Sequence, residues 1–348
     1  MLMYELRRLA EINTGYQQIT SKLKFDALSK PATAFISNMD RVVSLSLFPP
    51  RLIIFWHYFS RTWTQARDKI TGDPDVRDEE RYMRLLPQIA EEVLKYNPVD
   101  FLSKIDDFND RRDRWENGLF MTDVMGECAG PYLTEALEAM LASMVVGTWT
   151  AFETLTHDLW ISALNANPAA LAELKGSPKR ISARAGDKMR HDDKDEEDDD
   201  DSPESDDDKK VYLGAIHRLS KGTYNLNDRM GSLLCARFKF ATLRGIREAY
   251  SSAFPDKPKE RVEDLDAALA DNGLDALHAV RNVIVHRAGI ADDKYTQRSK
   301  NVPLAPRLEI GDKLPLKGSL CRELVDAGTH ASYYLILAVE AWLQAGRK

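Results

Sequence analysis

Cysteine is scarce. The 348 residues hold three, Cys128, Cys235 and Cys321, about ninety or more residues apart, so neither a disulfide framework nor zinc-ligand spacing is encoded. Long apolar runs are missing too. The longest, Leu52 to Phe59, is interrupted by His57 and falls far short of the ~20 residues needed to cross a bilayer. The opening Met1-Leu-Met-Tyr-Glu-Leu-Arg-Arg lacks the apolar stretch of a signal peptide, so a cytoplasmic protein with no membrane partner is expected. There is no glycine fingerprint for a nucleotide, no His-Glu-x-x-His, no paired-carboxylate metal site and no Gly-x-Ser-x-Gly elbow. A resident cofactor or metal is therefore not expected. Strand signal is confined to Arg307 to Leu316, a small hairpin at most, weakened by Pro315.

What is present is a globular composition, 43% hydrophobic and 30% charged, with a net charge of −7. The acids are concentrated. Residues 192–208 hold 13 of them against one lysine, a local −12 that leaves the rest of the chain at +5. Such a run repels itself and buries nothing, so an extended acidic loop of low complexity is expected there. A mildly basic remainder is compatible with a polyanionic partner. An acidic segment that occupies a basic cleft of its own chain is the sharper reading of the run, and a solubilising loop the plainer one.

Helical periodicity runs through nearly the whole chain, and the expected fold class is all-α. Apolar residues from Leu133 through Leu137, Leu141, Met144, Phe152 and Leu155 to Leu159 keep 3/4 spacing between Gly130-Pro131 and Asn167-Pro168. Leu320 to Trp342 repeats the pattern. Leu234, Phe238, Ala241 and Gly245 suggest one helix ending before Phe254-Pro255, and Val262, Leu265 and Leu269 another that resumes after Asn272-Gly273. The expected organisation is an N-terminal accessory helical region over residues 1–125 and a helical bundle over residues 130–348 that carries the acidic loop.

One helix carries chemistry. In Leu277-His-Ala-Val-Arg-Asn-Val-Ile-Val-His-Arg-Ala-Gly-Ile290, Leu277, Val280 and Ile284 form a core stripe. His278, Asn282, Val285 and His286 gather on the far side, with Arg281 at its margin, so the polar face is expected to point away from the core. Arg281 and His286 sit about 140° apart, and only the long arginine side chain lets both reach one anion. An imidazole and a guanidinium at one point suit metal-free phosphodiester cleavage. The first moves a proton between the ribose 2′-hydroxyl and the leaving 5′-oxygen, and the second holds the non-bridging oxygens as charge builds. Asn282 would hold the histidine tautomer or the phosphate. DNA lacks the 2′-hydroxyl, so the route is specific to RNA.

Arg281-Asn282-Val-Ile-Val-His286 resembles the R-x4–6-H motif of the HEPN superfamily of helical RNases. His286-Arg-Ala-Gly-Ile-Ala-Asp-Asp-Lys-Tyr295 resembles the segment that follows the motif in bacterial members, and Trp149-Thr-Ala-Phe-Glu-Thr-Leu155 their long helix. The resemblance runs from about residue 130 onward, with the acidic run a departure from it. It implies a HEPN-like bundle that forms a homodimer and makes a composite, metal-independent endoribonuclease site of Arg281, Asn282 and His286. It further implies RNA as partner and a toxin or antiviral-defence role, with an antitoxin or regulatory partner. The alternative is a non-catalytic HEPN-like module that binds RNA or a nucleotide, or serves assembly.

Supporting positions follow. Glu153 is read as a residue that orients Arg281 or His286, or as an ordinary helix ion pair. His278, one turn before Arg281, is read as a second proton carrier or an incidental surface histidine. Arg237, Arg244 and Arg247 share one side of their helix by spacing and, with Arg287, are read as tracking an RNA backbone, as is the cluster Lys179, Arg180, Arg184 and Lys188, with an ordinary solvated face the plainer reading of both groups.

Overall fold

The computed structural model describes residues 19–46, 48–72, 79–94, 131–167, 181–182, 229–254 and 265–346. These are helical and irregular, with no strand among them, and the fold class is all-α. In chain order the helices are α1 (Ile19–Lys22), α2 (Asp26–Ser46), α3 (Phe48–Thr71), α4 (Glu79–Leu94), α5 (Pro131–Ala166), α6 (Met230–Leu234), α7 (Leu243–Ala253), α8 (Leu265–Leu269), α9 (Asn272–Arg287), α10 (Asp293–Ser299) and α11 (Gly318–Gly346). The acidic run and the basic cluster of Lys179, Arg180, Arg184 and Lys188 lie outside the described residues.

Two compact units divide the chain. One takes in the described residues within Met1–Val42 and Glu138–Lys348, the other those within Val43–Leu137. In the second unit, α3 and α4 pack on each other, and Lys69 of α3 pairs with the buried Glu92 of α4.

The larger unit is built on two long helices. α5 buries Leu141, Met144, Val145, Trp149, Phe152, Leu155, Leu159 and Trp160, the stripe its sequence spacing predicts. α11 buries Leu324, Leu335, Ile336, Val339 and Leu343, and both α8 and α9 pack against it. The N-terminal helices join this body, since the Lys24 backbone N–H donates to Glu340 Oε1 of α11 at 2.7 Å.

The helix expected across Leu234 to Gly245 is two helices. α6 tightens into a 3-10 turn at Cys235–Arg237, the chain extends at Phe238 (φ −130, ψ 142), and α7 starts afresh with Thr242 as its N-cap, its hydroxyl accepting from Gly245 N. The break has a packing cause. Phe238 and Phe240 point the same way from the irregular segment and both meet Trp160 edge-on, with ring centroids at 5.5 and 5.7 Å. A continuous helix would turn those two positions apart. α6 itself sits close against α5: a Cβ on Gly231 would lie 2.3 Å from the Ile161 carbonyl oxygen, and Gly231 N donates to Asn165 Oδ1.

The hairpin expected over Arg307 to Leu316 is not formed. That segment instead reaches back to the residues that follow α9. Ile290 and Lys313 make an isolated antiparallel bridge, Ala291 N donates to Asp312 O, Gly311 N to Ala291 O, and Leu314 N to Gly289 O, each of these three at 2.8 Å. Lys313 also pairs with Glu138 of α5.

Candidate functional site

α9 is framed at both ends. Asp271 caps it by accepting from Gly273 N at 2.7 Å, and Asp275 in its first turn takes a bidentate ion pair from Arg247 of α7. At the far end Ala288 (φ 51) and Gly289 (φ 81) turn left-handed, and both backbone N–H groups converge on Val283 O. The chain then enters α10 through Asp292, which accepts from Tyr295 N at 2.8 Å and from Arg287 Nε at 3.1 Å. Burial pushes the Asp292 carboxyl up, but those two donors win and hold it below the usual range.

The face expected to point outward is only partly outward. Leu274, Leu277, Val280 and Val283 form the buried stripe, while Ile284 is half-buried. His278 lies against the fully buried Trp149 of α5, with ring centroids 4.7 Å apart at 37°, so this end of the polar face is an interior contact. Val285 and His286 are exposed, and Arg281 and Asn282 occupy the margin between the two environments.

Arg281, Asn282, His278 and His286 form one hydrogen-bonded chain. Arg281 Nη1 donates to Asn282 Oδ1 at 2.9 Å and lies 3.4 Å from His286 Nε2. Asn282 Nδ2 lies 3.2 Å from His278 Nε2. The long arginine side chain thus spans the angular gap that separates it from His286 on the helix wheel. The i, i+4 partner of Asn282 is His278 on the inner side rather than His286 on the outer. Arg281 Nε is buried and without a hydrogen-bond partner, as is Trp149 Nε1.

Electrostatics distinguish the groups. His278 is pushed down to about 3, first by burial and then by the cations Arg298, Arg281 and Arg247 and by His286. Both causes disfavour the charged imidazolium, which weighs against the reading of His278 as a second proton carrier. Glu153 is half-buried and its carboxyl is raised, burial outweighing the pull of Arg281, Trp149 and His157. The Trp149 indole nitrogen is near enough to steady that carboxylate without reaching hydrogen-bond geometry.

The basic residues separate. Arg247 is 1% exposed: Nε donates to Leu269 O at 2.9 Å, and the two terminal nitrogens grip Asp275 at 2.9 and 2.8 Å. It holds α7, α8 and α9 together and offers nothing to a ligand, which corrects its assignment to an RNA-facing row. Arg237 and Arg244 are exposed, but the break at Phe238 puts them on different elements, so the three arginines do not share a helix side. Arg287 is exposed and engaged with Asp292.

A second cluster was not foreseen. His157 Nδ1 meets Asp158 Oδ1 at 2.9 Å, and the His157 ring packs edge-on against Phe240. The imidazole is raised to about 9, chiefly by a hydrogen bond with Cys235, against burial and with help from Asp158. The adjacent His157-Asp158 pair was visible in sequence, whereas Cys235 comes from another element, the 3-10 turn that follows α6. Among the described residues no group of three or more His, Cys, Asp or Glu could hold a metal ion, and no helix is long and apolar enough to cross a membrane. Against family models, curated proteins and solved structures the chain finds no match.

Proposed function

We propose that this chain is a metal-independent endoribonuclease of the HEPN type, with Arg281, Asn282 and His286 as its catalytic set. One observation carries the reading: a guanidinium nitrogen and an imidazole nitrogen, Arg281 Nη1 and His286 Nε2, stand 3.4 Å apart at the exposed end of α9. An arginine offers only donors, so the His286 nitrogen it faces carries a lone pair. A phosphodiester that draws the guanidinium onto its non-bridging oxygens frees that lone pair beside the scissile group. His286 then accepts the 2′-hydroxyl proton as the 2′-oxygen attacks phosphorus, or delivers a proton to the departing 5′-oxygen. The products are a 2′,3′-cyclic phosphate and a 5′-hydroxyl.

The resemblance supplies the remaining parts of the proposal. Two copies pair so that their α9 helices face one cleft, one His286 acting as base and the other as acid. The biological setting is a cytoplasmic toxin or antiviral-defence effector restrained by an antitoxin or regulatory partner. Exposed Arg237, Arg244 and Arg287 are the basic residues left to guide RNA.

The test is cleavage of labelled single-stranded RNA in excess EDTA by wild type, His286→Ala and Arg281→Ala, with product ends mapped. The expected result is cyclic phosphate ends from wild type alone. Full activity in either variant removes the assigned site. RNA binding without product in the wild type, indifferent to His286→Ala, favours the non-catalytic module.

A further inference from the structure

The chain of contacts behind Arg281 has a direction, and following it inward leads to His278. A guanidinium has no acceptor, so the Asn282 atom that Arg281 Nη1 meets at 2.9 Å must be the carbonyl oxygen. The other end of that amide is then the NH2 group, and it points at His278 Nε2 at 3.2 Å. Two donors cannot face each other, so His278 Nε2 must be the bare nitrogen and the ring proton sits on Nδ1. Each assignment is forced by the one before it. Had His278 been protonated on Nε2, the Asn282 amide would turn over to accept from it, present its NH2 to Arg281, and lose the contact to the guanidinium.

Resting on the nuclease reading, we propose that His278 is a positioning residue of the Arg281/His286 site. Its bare Nε2 fixes the orientation of the Asn282 amide, which holds Arg281 Nη1, which in turn keeps His286 Nε2 as an acceptor. The position is built for that task. The ring lies over Trp149 of α5 at 4.7 Å, which fixes its plane from a helix 129 positions away in sequence. Burial, and then the cations Arg298, Arg281 and Arg247 and the His286 ring around it, oppose a second proton, so the accepting form of His278 is the favoured one. Nη1 has two hydrogens. Asn282 takes one, so the second is the one aimed at His286. Without Asn282 held in register, the guanidinium loses the contact that aims it.

The experiment uses the full chain labelled with 15N in histidine and reads ring nitrogens alongside RNA cleavage. In the wild type, His278 should show a protonated Nδ1 and a bare Nε2. His278→Phe keeps the stacking on Trp149 but offers no acceptor. It should lower kcat by about tenfold or more with KM little changed, and shift the His286 ring signals. His278→Gln, whose amide oxygen can accept from Asn282, should restore both. Unchanged kcat together with unmoved His286 signals in His278→Phe would overturn the proposal.

If the wild type cleaves no RNA, the nuclease reading fails by itself, and the His286 signals still decide this one: a shift in His278→Phe sustains it and no shift ends it. If His278→Phe does not fold, Asn282→Asp decides instead. It places an oxygen opposite His278 Nε2 and should move the ring proton to that nitrogen, whereas an unmoved His278 spectrum overturns the relay.

Discussion

Replacing Arg247 by methionine separates a structural arginine from a ligand-binding one. The side chain is 2% exposed and makes three hydrogen bonds to Leu269 O and both Asp275 oxygens, while the Asp275 side chain keeps a quarter of its surface in solvent. Removing one partner of a buried ion pair costs about 3–5 kcal/mol, because the charge left behind has lost its compensation. Water reaches Asp275, and methionine preserves much of the stem packing, so the lower end applies, about 3 kcal/mol. That corresponds to about a hundredfold increase in the local opening constant. The readout is hydrogen exchange by mass spectrometry on peptides from α7 and α9, since a chain of two compact units has no single unfolding midpoint to quote. Arg247→Met combined with Asp275→Leu should recover about 1–2 kcal/mol relative to the sum of the single changes. A change below about fivefold in exchange for Arg247→Met, or strict additivity, would refute the reasoning. Loss of RNA affinity with exchange unchanged would show that the arginine serves a ligand after all.

Other perturbations probe separate features. Ala288→Gly should stabilise α9 by up to about 1 kcal/mol, because alanine at φ 51 carries a left-handed penalty that glycine does not; no gain in exchange protection over residues 283–291 would contradict this. His278 has its folded value lowered to about 3, so between about 6.5 and 3 the unfolded chain binds the extra proton and wild-type stability falls as pH drops, by at most ~1.4 kcal/mol per pH unit; His278→Gln should show a shallower acid slope in denaturant titrations. His157 is shifted the other way, so the advantage of wild type over His157→Gln should be full below about 6.5 and vanish as pH rises through about 9; an advantage constant across that window would remove the interaction with Asp158 and Cys235. Glu153 is raised, so its ionised form is the disfavoured one in the fold, and wild-type stability relative to Glu153→Gln should decline as pH climbs past the ordinary carboxyl range.

The body of α9 was legible because its signal is local, a 3/4 apolar stripe; its start was read too late, after Asn272-Gly273, because the cap that Asp271 provides puts those two residues in the first turn. The Arg281 and His286 approach was legible for the same reason, as both lie within five positions on one element. Partners supplied by other elements were not legible. Nothing near Arg247 announces Asp275, 28 positions on, so three arginines at 7-and-3 spacing read as a solvent face. Nothing near His278 announces Trp149 either, and the face was read as outward. The break between α6 and α7 did leave a trace. Phe238 and Phe240 alternate with period two inside a helical pattern, a conflict that Trp160 resolves.

The packing of α9 against α11 bears on the order in which the molecule is made. Arg281 and His286 leave the ribosome before Gly318–Gly346, yet the buried side of their helix rests on that later helix, and residues 311–314, which pair with the residues that follow α9, are also synthesised after them. A nascent chain that has just exposed the Arg281 motif therefore has the residues but not the scaffold. The constellation is assembled only once Gly318–Gly346 has been made, so a translation product interrupted before that helix carries the motif without the geometry.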